Sequence, residues 1–258
     1  MRRIFENIRE RAIIPPESGR DIVVVLHGLG MFKEYMAPAT RALEQAGFDT
    51  LPVSYASHGR AAPGVDAIAA DIHAMLADAN IWNRKGKVHF LTHSMGGVIA
   101  DTLLMTKRHE LPAEKIGRVV MLAPPNRGSE IADFLKDFGP YRWLFGQAGQ
   151  DLTTAARARQ FDPPYYDLGV IAGTAGHLYF IANLILPGGG AAHDGRVSVA
   201  STEIEGMKAH FRLSVGHTAM AWNRDALKQA VTFLKTGDFN WDARPKIPMP
   251  PVPERAAP

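Results

Sequence analysis

The stretch that most constrains this chain runs from Lys87 to Ala100 and reads KVHFLTHSMGGVIA. An apolar run of strand length leads into the turn Thr-His-Ser-Met-Gly-Gly, and apolar residues at helical spacing follow. A serine on such a tight strand-to-helix turn adopts strained backbone angles, so the residues two positions away must be small. Gly96 meets this requirement, whereas Thr92 meets it poorly. The stretch therefore predicts a strand, a sharp turn at Ser94 and a helix.

This turn matches the pattern G-x-S-x-G at every position except the first, where Thr92 replaces glycine. Such a turn lifts the hydroxyl of Ser94 clear of the sheet. It also points the backbone N–H groups that follow, at the positive end of a helix, toward the same place. A nucleophile and an anion site would then coincide. The alternative is a serine that caps an ordinary helix, and the companion motifs elsewhere in the chain favour the nucleophile.

Apolar runs of strand length alternate with helical patterns along the chain. The first run, DIVVVL, has four consecutive β-prone apolar residues, which is typical of a strand buried on both faces of a parallel sheet. The predicted strands are Asp21–Leu26, Thr50–Tyr55, the strand before Ser94, Arg118–Ala123, Leu168–Gly173 and His210–Val215. Helices are predicted from about Phe32 to Ala46, from Val65 to Leu76, after Ser94, and from Ala219 to Lys235. This order predicts an α/β fold with a mostly parallel central sheet and helices on both faces.

The pattern changes between residues 124 and 167, where we expect a small helical cap or lid. Short helical pieces, Ser129 to Asp137 and Leu152 to Arg159, are interrupted by Gly139-Pro140 and by aromatic residues. Within this insertion, Trp143, Leu144 and Phe145 are candidates for the wall of an acyl pocket, although plain packing would explain them equally well.

Length and composition favour one domain over residues 1–258, with a short N-terminal helix or arm (Ile4 to Ile14) and a proline-rich tail over residues 238–258. The formal charge of 29 − 26 = +3 is too small and dispersed to indicate nucleic-acid binding. The chain has no cysteine, which excludes disulfides and thiolate chemistry, and we expect no metal and no cofactor. No segment has the length of a membrane span. The N-terminus lacks the apolar core of a signal peptide, so we expect a cytoplasmic protein, or a secreted or periplasmic one if a signal peptide has been removed.

A serine nucleophile needs a base that is itself oriented by an acid. On sheets of this kind the acid and then the histidine follow the serine along the chain, each after a strand. Asp194 and His217 meet both conditions. His193 is a possible alternative base. His27 is expected to brace the loop after the first strand, and His93 is expected to point to the other side of the turn and to be structural.

Glu130 and Asp133 are alternatives to Asp194 as the acid, and we expect them to be helical and exposed.

Two backbone donors complete the predicted site. An oxyanion hole requires two N–H donors. We expect them to be the backbone N–H of Met95, directly after the nucleophile, and that of Leu29 in the His-Gly-Leu-Gly turn after the first strand.

Five motifs in the expected order carry a resemblance to a known family: LHGLG, THSMGG, PNRGSEIADF, DGRVSV and GHTAMAWN. From Asp21 to Lys235 the chain resembles serine esterases and lipases of the α/β-hydrolase superfamily, in particular bacterial carboxylesterases and lipases of the Burkholderia and Pseudomonas type. The resemblance implies the α/β-hydrolase fold, makes Asp194 the acid of the triad, and places a lid after the third motif. Those lipases continue their histidine motif with residues that help to hold calcium. Here Thr218-Ala219 follow His217, so we expect no calcium site.

The activity that the resemblance implies is hydrolysis of small-molecule or lipid esters through an acyl-enzyme. An acyltransferase or thioesterase would use the same triad, and a non-catalytic binding protein could share the scaffold. The sequence does not fix the oligomeric state, the acyl chain length or the alcohol.

Overall fold

A six-stranded sheet forms the centre of the computed structural model, which describes residues 14–158, 162–176 and 192–243. The strands are β1 (Ile22–Leu26), β2 (Asp49–Val53), β3 (Val88–His93), β4 (Ile116–Leu122), β5 (Leu168–Gly173) and β6 (Ala209–Leu213). They lie in the order β2-β1-β3-β4-β5-β6, and all five neighbouring pairs of these described strands run parallel. The α/β class and the six predicted strands are confirmed.

Six α-helices and several 3-10 turns connect the described strands. The helices are α1 (Ala37–Gln45), α2 (Val65–Asp78), α3 (Met95–Thr106), α4 (Glu130–Leu135), α5 (Gly139–Gln150) and α6 (Arg224–Thr236). The 3-10 turns are Lys33–Met36, Ile81–Asn83, Ala113–Lys115, Ala156–Ala158, Ala200–Thr202, Thr218–Ala221 and Trp241–Ala243. Among the described helices, none combines the length and apolar character that crossing a bilayer requires.

The sheet is covered on both faces, as its uninterrupted apolar strands require. Alternate side chains of β1 point to opposite faces. Val24 and Leu26 belong to a core shared with α2 and α3, whereas Val23 and Val25 belong to a second core shared with α1 and α6. All four of these side chains are at most 1% exposed. Burial on both faces explains why the strand sequence does not alternate between polar and apolar residues.

The winding of the sheet fixes where a site can form. The chain passes from β1 outward to β2 and then returns to place β3 on the other side of β1. Parallel sheets bind ligands beyond the carboxyl ends of their strands where the winding direction changes. The loops that follow β1 and β3 meet at this point, and they carry His27 and Ser94.

Between β4 and β5 the structure differs in detail from the expectation. Gly139 and Pro140 begin helix α5 rather than interrupting a helix, because a proline in the first turn has no N–H to leave unpaired. The helix is kinked at Gly146, whose φ of 52° lies in the left-handed region. The segment expected to be helical from Leu152 contains only the 3-10 turn Ala156–Ala158 within its described residues.

Several expectations concern residues that the structure does not describe. The N-terminal arm falls almost wholly in residues 1–13, the proline-rich part of the tail falls in residues 244–258, and Arg159 lies just outside the described range. The closing helix begins later than expected, at Arg224, since Asn223 caps it by accepting the N–H groups of Asp225 and Ala226 at 3.0 Å each.

Candidate active site

Ser94 occupies a strained turn between β3 and α3. Its φ of 54° and ψ of −126° lie outside the regions that residues other than glycine normally adopt. The turn is held by a hydrogen bond from the Ser94 N–H to the carbonyl of Leu122 (2.8 Å). A Cβ atom at Gly96 would lie 2.7 Å from the carbonyl oxygens of both Leu26 and His27, so a larger residue would force the backbone apart. The sequence requirement for a small residue at this position has a direct steric cause.

Three buried side chains form a continuous hydrogen-bonded series. The Nε2 atom of His217 lies 2.9 Å from Oγ of Ser94, and its Nδ1 atom lies 2.7 Å from Oδ2 of Asp194. The other carboxylate oxygen of Asp194 accepts the backbone N–H groups of Arg196 (2.9 Å) and Val197 (2.8 Å). Both oxygens of this acid are therefore committed, one to the imidazole and one to its own loop.

The loops after β5 and β6 bring the acid and the histidine together. Asp194 belongs to residues 192–202, which we call the acid loop, and His217 immediately precedes the 3-10 turn Thr218–Ala221 after β6. The backbone N–H of His217 donates to the carbonyl oxygen of Asp194 at 2.9 Å. The two residues are thus joined through their backbones as well as their side chains, which fixes the distance between the two loops.

His93 contacts both the backbone and the ring of His217. Its Nε2–H donates to the carbonyl oxygen of His217 (3.0 Å), and the two ring centroids lie 5.0 Å apart. Burial lowers the pKa of His93 to about 3, and the neighbouring charge of His217 acts in the same direction. A neutral imidazole is therefore retained at this position. A structural role fits these contacts. The expectation that His93 points to the other side of the turn is wrong, since it lines the cavity beside Ser94.

Sequence reasoning overlooked Tyr35. Its hydroxyl donates to the carbonyl oxygen of Thr218, and its own carbonyl accepts the indole N–H of Trp222 at 2.9 Å. These two bonds tie the segment before α1 to the turn that carries His217. A tyrosine in an otherwise ordinary amphipathic segment gives no sequence signal for such a contact, because its partners are backbone and indole groups more than 180 residues away.

The turn after β1 is held in place by Tyr55. Its ring stacks on that of His27 with centroids 4.0 Å apart, and its hydroxyl donates to the His27 carbonyl. Burial lowers the pKa of His27 to about 4, so this imidazole is also neutral at physiological pH. The N–H of Gly30 donates to the carbonyl of Ser57 at 3.1 Å. These contacts fix the backbone on either side of Leu29.

The two expected oxyanion donors have their N–H groups available. Met95 is the first residue of α3, where backbone N–H groups have no partner within the helix. Leu29 lines the cavity that contains Ser94. Within the described part of the chain, neither N–H is hydrogen-bonded to another protein group. The positive end of α3 adds a favourable field for negative charge at this point.

A mostly apolar cavity of about 650 Å³ opens beside Ser94 and His217. Its wall is formed by the turn after β1, helices α4 and α5, and the acid loop, with the lining residues Gly28, Leu29, Met31, His93, Ser94, Pro125, Ser129, Ile131, Ala132, Phe134, Leu135, Tyr141, Phe145, Leu152, Gly195, Arg196, Val197 and His217. Of the three residues expected in this wall, only Phe145 lies there. Trp143 and Leu144 do not line it, because they lie on the outer side of α5 and are 65% and 44% exposed.

The motif NRGSE, residues 126–130, clamps the acid loop. Its hydrogen bonds to that loop are Asn126 Nδ2 to Thr202 O (2.8 Å), Arg127 N to Ser201 O (2.9 Å), Ser129 Oγ to Arg196 O (2.8 Å), and Glu130 Oε1 from Ser198 Oγ (3.0 Å) and Ser201 Oγ (3.3 Å). The expectation that the acids of α4 are exposed is wrong, since Glu130 and Asp133 are half-buried and hydrogen-bonded. Neither touches His217. Among the described residues, no group of three or more histidine or acidic side chains is placed to hold a metal ion.

Comparisons with known proteins agree with this architecture. A sequence model described as "Alpha/beta hydrolase family" matches residues 23–254. No curated protein matches the sequence significantly. Among solved structures, the mature form of a lipase from Bacillus licheniformis has a TM-score of 0.67 at 16% identity, covering 88% of this chain and 97% of that one.

Two further structures extend the comparison. A metagenomic carboxyl esterase has a TM-score of 0.61 at 20% identity over 80% of this chain and 67% of its own. Lipase B of Aspergillus fumigatus has a TM-score of 0.57 at 14% identity over 93% of this chain and 59% of its own. At these identities the likeness establishes a shared fold.

Proposed function

The chain belongs to the alpha/beta hydrolase family, and we propose that within this family it is a serine carboxylester hydrolase that works through an acyl-enzyme. The observation that carries the proposal is the buried series of hydrogen bonds from Ser94 through His217 to Asp194. A hydroxyl is a weak nucleophile at neutral pH, and an adjacent base oriented by an acid is the arrangement that activates it. The apolar cavity beside the serine suits the acyl part of an ester.

In the proposed reaction, Oγ of Ser94 attacks the ester carbonyl carbon while its proton passes to Nε2 of His217. The resulting oxyanion accepts hydrogen bonds from the N–H groups of Leu29 and Met95. When the intermediate collapses, the bond to the alcohol breaks and the imidazolium returns its proton to the departing oxygen. The acyl group remains on Ser94. Water then attacks this ester with His217 again taking the proton, which releases the acid and restores the serine.

Asp194 is proposed to orient the base and to stabilise its charged form. Because one carboxylate oxygen is held by two backbone N–H groups, the other is fixed facing Nδ1 of His217. Nδ1 must then carry the proton, and Nε2 is left free to accept one from Ser94. The backbone bond between His217 and Asp194 maintains this alignment through the catalytic cycle.

The substrate half that enters the cavity is proposed to be the acyl chain. Phe145 and the apolar residues of α4 contribute to the apolar wall of the cavity. The fold shared with a bacterial lipase and a carboxyl esterase is compatible with this substrate class. A series of p-nitrophenyl esters of increasing acyl length measures which chains fit a cavity of about 650 Å³.

The proposal is tested by Ser94→Ala. We expect turnover of p-nitrophenyl butyrate to fall by several orders of magnitude, because the nucleophile is removed. A fluorophosphonate probe should label wild-type protein stoichiometrically and leave Ser94→Ala unlabelled. Retained ester turnover in the variant, or a wild-type protein that the probe does not label, would contradict a serine mechanism and favour a non-catalytic binding protein on this scaffold.

A further inference from the structure

The cavity beside Ser94 contains one charged side chain in a predominantly apolar wall. Among the described residues that line it, Arg196 alone carries a permanent charge, and most of the remaining lining surface is apolar. A hydrocarbon chain makes no use of the N–H donors of a guanidinium, whereas an anionic group accepts hydrogen bonds from them.

The position of Arg196 is tightly fixed. Its backbone N–H donates to Oδ1 of Asp194 (2.9 Å), and its carbonyl accepts the hydroxyl of Ser129 (2.8 Å). The residue is therefore attached on one side to the proposed triad acid and on the other to the N-cap of α4. The backbone cannot move away from the cavity without disturbing both contacts.

Arg196 lines the cavity together with His93 and Tyr141. Burial is the main cause of the pKa shifts of His93 and Tyr141, and the positive charge of Arg196 acts to lower the pKa of each. His93 stands at the end of β3, and Tyr141 belongs to α5.

No carboxylate neutralises Arg196 within the described part of the chain. The acids of the neighbouring helix are already engaged, Glu130 by two serines and Asp133 by the N–H and hydroxyl of Thr154. The guanidinium is exposed and keeps its donors available.

We propose that Arg196 is a specificity residue that recognises an anionic group, a carboxylate or a phosphate, on the ester, so that this enzyme prefers negatively charged ester substrates. The inference rests on the proposed ester hydrolysis at Ser94. A guanidinium presents parallel N–H donors that match the two oxygens of a carboxylate or phosphate. Because the anionic group is remote from the reacting carbonyl, it is bound equally in the ground and transition states, and its loss raises KM more than it lowers kcat.

The test compares the decrease in kcat/KM that Arg196→Gln causes for a neutral ester with the decrease it causes for charged esters. The neutral substrate is p-nitrophenyl hexanoate. The mono-p-nitrophenyl ester of adipic acid has the same six-carbon acyl chain with a terminal carboxylate, and the hexanoate ester of 4-hydroxyphenyl phosphate carries its charge on the alcohol side. We expect kcat/KM for at least one charged ester to fall about tenfold more than for the hexanoate, equivalent to about 1.4 kcal/mol.

Two further variants and a salt series sharpen the result. Arg196→Lys retains the charge without the paired donors, so it should keep part of the preference. Arg142→Gln removes an exposed charge from α5 that does not line the cavity, and it should leave the ratio of charged to neutral turnover unchanged. Raising the ionic strength should reduce the wild-type preference, because salt screens an exposed charge. Thermal unfolding of each variant separates a specificity effect from a loss of fold.

The outcomes distinguish the two proposals. If the wild-type enzyme hydrolyses the hexanoate but Arg196→Gln changes kcat/KM equally for all three esters, the specificity inference is overturned and ester hydrolysis stands. If the wild-type enzyme hydrolyses none of the esters and is not labelled by the fluorophosphonate, ester hydrolysis fails and the role of Arg196 fails with it. A selective loss on the adipate or the phosphate ester supports the inference and identifies which half of the substrate carries the charge.

Discussion

Replacing Asp194 by asparagine should abolish most activity without disturbing the fold. In the wild-type structure, Oδ1 of Asp194 accepts two backbone N–H groups and Oδ2 faces Nδ1 of His217. An asparagine has one oxygen and one NH₂ group, so one of these two positions must receive a donor. Turning the NH₂ toward the backbone would lose two hydrogen bonds inside a buried loop, each worth about 1 kcal/mol with a further desolvation cost.

The asparagine oxygen therefore keeps the two backbone donors, and its NH₂ group faces Nδ1 of His217. That nitrogen can accept the new donor only when it carries no proton, so the proton of the neutral imidazole moves to Nε2. Nε2 lies 2.9 Å from Oγ of Ser94 and can no longer accept the serine proton. The loss expected from such a tautomer change is about 10⁴-fold in kcat, or about 5.5 kcal/mol.

The assay is the steady-state hydrolysis of p-nitrophenyl butyrate from pH 6 to pH 9, with thermal unfolding measured on the same samples. Asp133→Asn is the matched control, because Asp133 also accepts two hydrogen bonds, from the N–H (3.0 Å) and hydroxyl (2.7 Å) of Thr154, but does not contact His217. We expect its kcat to change by less than about threefold. If Asp194→Asn retained kcat within tenfold of wild type, Asp194 would not orient the base.

Three other substitutions test separate parts of the site. Glu130→Ala removes the acceptor for two serines of the acid loop, so kcat should fall about tenfold with KM little changed. Glu130→Gln keeps an acceptor oxygen and should retain the wild-type kcat. An equal loss of kcat in both variants would show that the negative charge itself matters. Thr92→Val removes a buried hydroxyl that has no partner among the described residues, so ester hydrolysis should persist and the unfolding temperature should not fall. An inactive variant would reveal a catalytic role for the hydroxyl. Because burial holds the pKa of His93 at about 3 in the fold, the unfolded chain binds a proton near pH 6.5 that the folded chain does not, and stability falls as the pH drops below that value. In urea titrations His93→Gln should lose about 2 kcal/mol less than wild type between pH 7 and pH 5, and an unchanged pH dependence would argue against a neutral His93.

The sheet could be predicted from sequence because its strands are buried on both faces. A run such as IVVVL in β1 has few alternatives to a central parallel strand, and every residue of it is buried. The turn at Ser94 could also be predicted, because the close approach of the backbone allows only small residues at fixed positions. The contact between Asp194 and His217 was less accessible, since each lies on a loop whose path depends on packing rather than on local pattern.

The insertion after β4 was predicted least well, for a physical reason. Gly139-Pro140 is compatible either with the end of a helix or with its first turn, and the choice depends on how the residues after Pro140 pack. Within α5, the residues that line the cavity, Tyr141 and Phe145, are four positions apart and share one face of the helix, whereas Trp143 lies between them in sequence. Trp143 therefore lies on the other side of α5 and is 65% exposed, so its aromatic character alone did not identify a pocket residue.

Threonine at the first position of the turn is explained by a neighbour rather than by its own site. Thr92 is fully buried in β3, and a Cβ atom at Gly97 would lie 3.3 Å from its Oγ1 and 2.9 Å from Cβ of Pro124. The second glycine of the motif THSMGG thus leaves room for three neighbouring side chains, Pro124, Met121 and Thr92. In the pattern G-x-S-x-G taken alone, Thr92 is a mismatch at the first position. A glycine at position 97 is thus compatible with a buried threonine at position 92, and the turn at Ser94 keeps its φ of 54° with that threonine in place.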